Sequence, residues 1–278
     1  MLHKYDKSKS SLLLALAAAG GLAISGPAAA AETACSLENG YAMQLTSYVD
    51  EATACITAAD NMDTSIADGL VAKINSERVS LGLSELNRRA SLDMAAQAHA
   101  LDMATRIYAD HVDLEGRDHL HRIRAFDRTM LVGASGSNVT VSLAAGDVDA
   151  VHAKLKRDAL NADNMVRRSF TDVGVGVVEK AGQYYVVQVF AAAEGEFANA
   201  IPVTARGSQP LKATLADRDR QVVAWGLVDN ASGETLASST MQRVRFSNLR
   251  GAESAALDVL VAEHSDTYVL KGPLVSGR

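Results

Sequence analysis

Apolar positions at helical spacing dominate the middle of the chain. Ile66, Leu70, Val71 and Ile74 fall on one helical face. Asp63 or Thr64 can cap that helix, and Gly82 can stop it just past its end. Leu92, Ala95, Ala96, His99, Met103 and Ile107 predict a second helix with Ser91 as its cap. Its alanines permit close packing. Residues 110–127 read as an irregular polar stretch. Short strands follow around Leu131 and around Thr140. A third helix spans 147–157 through Val148, Val151 and Leu155. Residues 173–178 and 184–190 are β-rich runs joined at Ala181 and Gly182, a hairpin pattern. Helices interleaved with a hairpin-built sheet predict a layered α+β domain.

Beyond this block the pattern changes. Residues 193–208 are rich in Ala, Gly and Glu and read as a linker. Residues 211–215, 221–228, 241–246, 257–262 and 267–270 are strand-like, with turns at Asp229-Asn230 and Ser232-Gly233. They predict a small all-β domain of sandwich type over 209–278. The start of the chain differs again. Lys4, Lys7 and Lys9 precede an apolar run from Leu12 to Ile24, and small residues follow up to Ala31. This is the layout of a secretory signal peptide over 1–31, too short for a comfortable membrane span. No later segment is long and apolar enough to span a bilayer. The protein is expected to be secreted or periplasmic.

The remaining boundaries follow: an N-terminal helical segment at 32–62 and a main domain at 63–192. Cys35 and Cys55 are the only cysteines of the chain. In an exported protein they most simply form one disulfide. Closing a loop of about 20 residues stabilises by ~3 kcal/mol in the chain-entropy model. A free reactive pair is the alternative, but neither C-x-x-C spacing nor a basic flank favours it. Losing residues 1–31 removes three lysines and Asp6, so the formal charge moves from −6 to −8. An acidic surface argues against nucleic acid and anionic lipid as main partners.

Several short motifs occur in a telling order. Asn75, Arg78, Gly82 and Leu83 come first. Ala96, His99, Ala100, Asp102 and Met103 follow, then His111, Gly116 and Arg122-Ile123. The run from Phe170 to Gly176 and Gln188 with Phe190 close the set. Together these resemble the CAP superfamily (cysteine-rich secretory, antigen 5 and pathogenesis-related proteins, or SCP domain), most of all its bacterial branch. The resemblance implies a layered α-β-α sandwich, here followed by the small all-β C-terminal domain. It also implies a cleft lined by two histidines and acidic residues that hold a divalent metal in several members. His111 matches the first histidine. The family's Gly-Glu-Asn falls on Gly136-Ser137-Asn138, so a hydroxyl replaces the carboxylate. Asn161 stands at the second histidine, and Leu155 at an upstream aromatic position.

Zinc takes about four ligands, three from protein even at catalytic sites. One imidazole with a hydroxyl and an amide does not supply them. The expectation is therefore no metal, no cofactor and no catalytic residue. His111, Ser137 and Asn161 become candidates for binding a small molecule, lipid or protein outside the cytoplasm. The competing reading is a peptidase-like hydrolase using Ser135 or Ser137 with His111, for which no acid partner is evident. His111, His119 and His121 with Asp110, Asp113 and Asp118 suggest a relocated metal site, His119 and His121 sharing a strand face. A solvated polar loop explains them better, because no zinc spacing is matched. His99 reads as a core histidine. Gly174 and Gly176 read as strand packing rather than a dinucleotide loop.

Overall fold

The computed structural model describes residue 35 and residues 37–143, 146–249 and 251–277. The expected signal peptide lies outside these residues. The helices are α1 (Leu45–Ala58), α2 (Thr64–Ser80), α3 (Ala90–Arg106), α4 (His119–Phe126), α5 (Val148–Leu155) and α6 (Ala159–Val166). The strands of the main domain are β1 (Asn87–Arg88), β2 (Met130–Ser142), β3 (Asp172–Lys180) and β4 (Gln183–Phe197). Those that follow are β5 (Ser208–Pro210), β6 (Ala213–Leu215), β7 (Gln221–Asp229), β8 (Thr235–Ser239), β9 (Arg243–Arg245), β10 (Ala255–Glu263) and β11 (Asp266–Val275). No helix among the described residues is long and apolar enough to cross a membrane.

Alternation along β4 explains the layering. Tyr185, Val187, Val189 and Ala191 face a core shared with α1, α3 and α4. Val186, Phe190 and Ala192 face a second core under α2, α5 and α6. A strand buried on both sides needs helices on both sides, and that is the α-β-α sandwich. β3 and β4 form the expected hairpin, with Ala181 at φ 52 and Gly182 at φ 77, as a tight two-residue turn requires.

The sheet runs β1-β3-β4-β2-β11-β10-β7-β8, with β6 also on β4; β5 and β9 form a separate pair. The C-terminal region is all-β apart from one 3-10 turn, and its strands continue the central sheet where Lys271 of β11 meets Val132 of β2. The stretch expected as a linker is fastened. β4 reaches Phe197, and Arg128 donates to the carbonyls of Ile201 (2.8 Å), Pro202 (3.2 Å) and Leu274 (2.7 Å). Burial lowers the Arg128 pKa to about 10, and those carbonyls satisfy the guanidinium. Arg124 pairs with Asp258, which also accepts from Lys271 at 2.9 Å.

Some local expectations change. The polar stretch 110–127 contains α4, capped by Asp118, which accepts from the His121 amide at 2.7 Å. Its arginines are buried with partners, so its polarity did not mean solvent. The two short strands at 130–132 and 139–141 are one strand, β2. Ser91 lies inside α3 and donates to Asp127 instead of capping. Asp63 caps α2 as expected, accepting from the Ile66 amide at 2.9 Å. Ile107 is not on a buried stripe. It ends α3 at φ 59 and is 73 % exposed.

α3 lies directly on β3 because two glycines allow it. A Cβ on Gly176 would stand 2.4 Å from the Ala96 carbonyl carbon and from the Gln97 amide nitrogen. On Gly174 it would meet the Leu92 carbonyl carbon at 2.1 Å. Both are backbone contacts, so no side-chain rotation relieves them. Gly176→Ala is expected to destabilise by about 3 kcal/mol and to lower Tm by roughly 6–12 °C. Calorimetric melting checks this, with Gly226→Ala, a strand glycine without positive φ whose Cβ meets only the Ala237 carbonyl at 3.7 Å, as the control for adding a methyl without a clash.

Candidate ligand cleft

The loop between α3 and α4 carries His111, and its shape is set from inside the protein. Asp113 accepts from the amides of Glu115 (3.2 Å) and Arg117 (2.7 Å) and from Arg117 Nε (2.7 Å). Arg122, only 1 % exposed, donates to the carbonyls of Arg117 (2.6 Å) and His111 (2.7 Å). His99 Nε2 bonds the Asp110 carbonyl at 2.7 Å. The expected core histidine therefore also fixes the residue next to His111. Its Nδ1 has no partner, and burial holds its pKa well below the ordinary imidazole value.

The structure brings His111 and Ser137 together. His111 Nδ1 and Ser137 Oγ share a hydrogen bond of 2.9 Å. Ser137 lies within β2 and is 5 % exposed. Behind it is a lattice of amides. Asn138 donates to Gln188 Oε1 (2.9 Å) and to the Asn161 carbonyl (3.0 Å). Asn164 donates to Asn138 Oδ1 (3.0 Å) and to the Ser137 carbonyl (3.3 Å). Asn161, itself buried on α6, is thus tied to the site through its backbone. Gly136 makes this close approach feasible, since a Cβ there would meet Asn164 Oδ1 at 2.9 Å. Asn138 and Arg122 were visible in the sequence only as motif letters. Nothing in their spacing announces an amide lattice or a buried strut.

Of the other histidines, His119 stands near His111: it bonds the backbone of Ser135 in β2, and burial first, with the His111 charge adding to it, lowers its pKa below the ordinary imidazole value. His119 and His121 lie on helix α4, not on a strand, so residues two apart point to opposite sides. His121 packs edge-on to the Tyr48 ring, centroids 6.1 Å apart. Asp102, Asp113 and Glu115 do come within 4.8 Å of one another. Their charge is already answered. Arg106 bonds Asp102 and Glu115 at 2.6 Å, and Arg117 bonds Asp113 at 2.7 Å. The stretch 133–137 lies inside β2 rather than at a strand-to-helix turn, so it is not a nucleophile elbow.

Comparison with known proteins bears on the main domain. Residues 71–190 match the model of the Cysteine-rich secretory protein family, CAP. No curated protein matches the chain. Among solved structures the chain is similar to an outer surface protein from Borrelia burgdorferi, at 16% identity and a TM-score of 0.43, covering 47% of this chain and 96% of that one. It is also similar to an extracellular protein containing an SCP domain from Bacillus anthracis str. Ames, at 22% identity, TM-score 0.38, 46% of this chain and 41% of that one. Venom allergen-like protein 4 from Schistosoma mansoni is similar at 14% identity and TM-score 0.34, over 52% of this chain and 97% of that one.

The buried imidazoles make stability depend on pH. Burial lowers the His121 pKa to about 4, against ~6.5 for an exposed imidazole. Between those values unfolding takes up a proton. Stability is therefore full above about pH 6.5 and is lost as pH falls toward 4. Between about pH 7 and pH 5 the protein is expected to lose about 2 kcal/mol more than His121→Gln does. Guanidinium unfolding at both pH values measures the difference.

Proposed function

We propose that this chain, built around a CAP domain at residues 71–190, is exported and binds a ligand outside the cytoplasm without converting it. The ligand class is a lipid, an envelope component or a protein. One observation carries the reading. His111 is bonded to the hydroxyl of Ser137 at 2.9 Å, where the family pattern has a carboxylate. With Asn161 at the second histidine position, the three family-matched positions offer one imidazole, one hydroxyl and one amide, and His119 of α4 adds one further imidazole nearby. That set does not fit zinc, which draws on thiolates, imidazoles and carboxylates. A carboxylate that could orient the imidazole is replaced too.

Export is supported by the charge and hydropathy of residues 1–31 and by the Cys35–Cys55 disulfide, a bond favoured in oxidising compartments. The acidic balance supports a partner other than nucleic acid.

The same 2.9 Å contact favours a second reading, a hydrolase with Ser137 as nucleophile and His111 as base. Two features weigh against it. Ser137 is 5 % exposed, which limits attack on a substrate. No carboxylate among the described residues bonds His111 to complete a triad.

Changing Ser137→Glu together with Asn161→His is expected to create zinc binding that titration calorimetry detects, while the unaltered protein gives no tight isotherm. Tight uptake by the unaltered protein that disappears in His111→Ala would contradict the reading. For the hydrolase, peptide or ester cleavage that is lost in both Ser137→Ala and His111→Ala would establish the alternative.

A further inference from the structure

One edge of β2 has no neighbouring strand along most of its length. Lys271 of β11 meets it at Val132, and among the described residues no other strand pairs with that edge. The hydrogen bonds of β3 fix which backbone groups point there. The Val175 amide donates to Asp93 (2.8 Å), the Val177 carbonyl accepts from the Asp63 amide (2.9 Å), and the Glu179 amide donates to the Asn61 carbonyl (3.0 Å). The odd residues of β3 thus turn away from β4, and its even residues bond the odd residues of β4. The even residues of β4 then bond the even residues of β2. Ser135, Ser137, Val139 and Val141 are left with amides and carbonyls turned out of the sheet.

Side chains answer part of this edge. His119 bonds the Ser135 backbone, Asn164 donates to the Ser137 carbonyl at 3.3 Å, and Lys154 donates to the Val141 carbonyl. Between them, the Val139 amide and carbonyl and the amides of Ser137 and Val141 bond nothing among the described residues. Residues 139–141 are only half-buried. Exposed apolar side chains stand beside both walls of the opening. Val112, 40 % exposed, follows His111, whose ring bonds Ser137. Leu160, 74 % exposed, precedes Asn161, whose carbonyl accepts from Asn138.

We propose that this edge takes up a short extended segment of a partner protein, with apolar side chains, as an added strand beside residues 137–141. The inference rests on the reading that the cleft binds a protein without converting it, and it names the form in which that protein binds. Outward amides on alternate residues stand about 6.8 Å apart, the spacing of the carbonyls along an extended chain. A lipid tail offers no acceptors to meet them, and a metal ion is not bound by amide donors. The free Val139 carbonyl needs a donor in the same register, which an extended backbone supplies. His119 and Lys154 close the two ends of the opening, so the segment is short and indiscriminate edge pairing is limited.

Titration of the nitrogen-15-labelled mature protein with the peptide acetyl-Val-Thr-Val-Thr-Val-amide tests this. Saturable shifts are expected, largest at the Val139 and Val141 amides. Val139→Pro removes an outward donor that holds no ladder bond and is expected to weaken binding roughly tenfold, with a circular dichroism melt to establish that the variant is folded. Methylated peptides test the same bonds without altering the protein. A peptide methylated at alternate nitrogens keeps one bonding edge and is expected to bind, whereas one methylated at every nitrogen keeps none and is expected not to. No saturable shift, shifts that spare Val139 and Val141, or equal binding of the fully methylated peptide would each overturn the assignment. Mass spectrometry of the recovered peptide separates the two readings. An intact peptide supports both, and binding followed by cleavage upholds the added strand while overturning the non-converting function.

Discussion

Arg122 is the strut on which the region around His111 depends. A guanidinium buried to 1 % exposure is costly, and burial pulls its pKa down. The cost is offset by bonds to the His111 and Arg117 carbonyls and by the nearby charges of Asp113 and Asp118. Its Nε remains without a partner. Because both carbonyls belong to one loop, the same side chain fixes where the imidazole stands and where Arg117 points. Arg117 in turn donates to the Ala42 carbonyl at 2.8 Å and covers Tyr48. The N-terminal segment, its disulfide and the loop are therefore held by one chain of contacts.

The protein uses the two sides of that loop differently. On one side, His111 bonds Ser137 of β2 in front of a lattice of neutral amides, with His119 nearby. On the other, Glu115, held by Arg106 and Arg117, lines a cavity with the disulfide, Leu37, Tyr41 and Glu51. The guanidiniums of Arg106 and Arg117 stand between acidic residues that would otherwise repel one another. Carboxylates that look like a cation site by proximity are thus internal ion pairs. The C-terminal strands add width to the sheet and wall a second cavity with their turns at Asp229–Asn230 and Glu253–Ser254.

Much of the fold was legible because its signals are local. Ile66, Leu70 and Ile74 mark α2 by spacing, Asp63 marks its start, and Ala181-Gly182 marks the hairpin. The two cysteines pair as their number and position suggest. His111 and Ser137 were legible as a pair only through the ordered motifs that carry the family resemblance. What was not legible depends on partners distant in sequence. α4 looked like a solvated loop because Arg122 and Arg124 are charged, yet Arg124 is satisfied by Asp258, 134 residues away. The joining of β11 to β2 likewise leaves no periodic trace. Ile107 continued a helical apolar pattern but ends its helix in a left-handed turn, which no spacing rule foretells.

The central claim is that His111 serves a hydrogen-bonding cleft and not a metal centre. Nitrogen-15 spectra of the His111 imidazole at neutral pH, before and after one equivalent of zinc, test it most directly. The account predicts an Nδ1 resonance perturbed by its bond to Ser137 Oγ, restored toward a free imidazole by Ser137→Ala, and unmoved by zinc. Stoichiometric displacement of the His111 nitrogen resonances by zinc in the unaltered protein would contradict it.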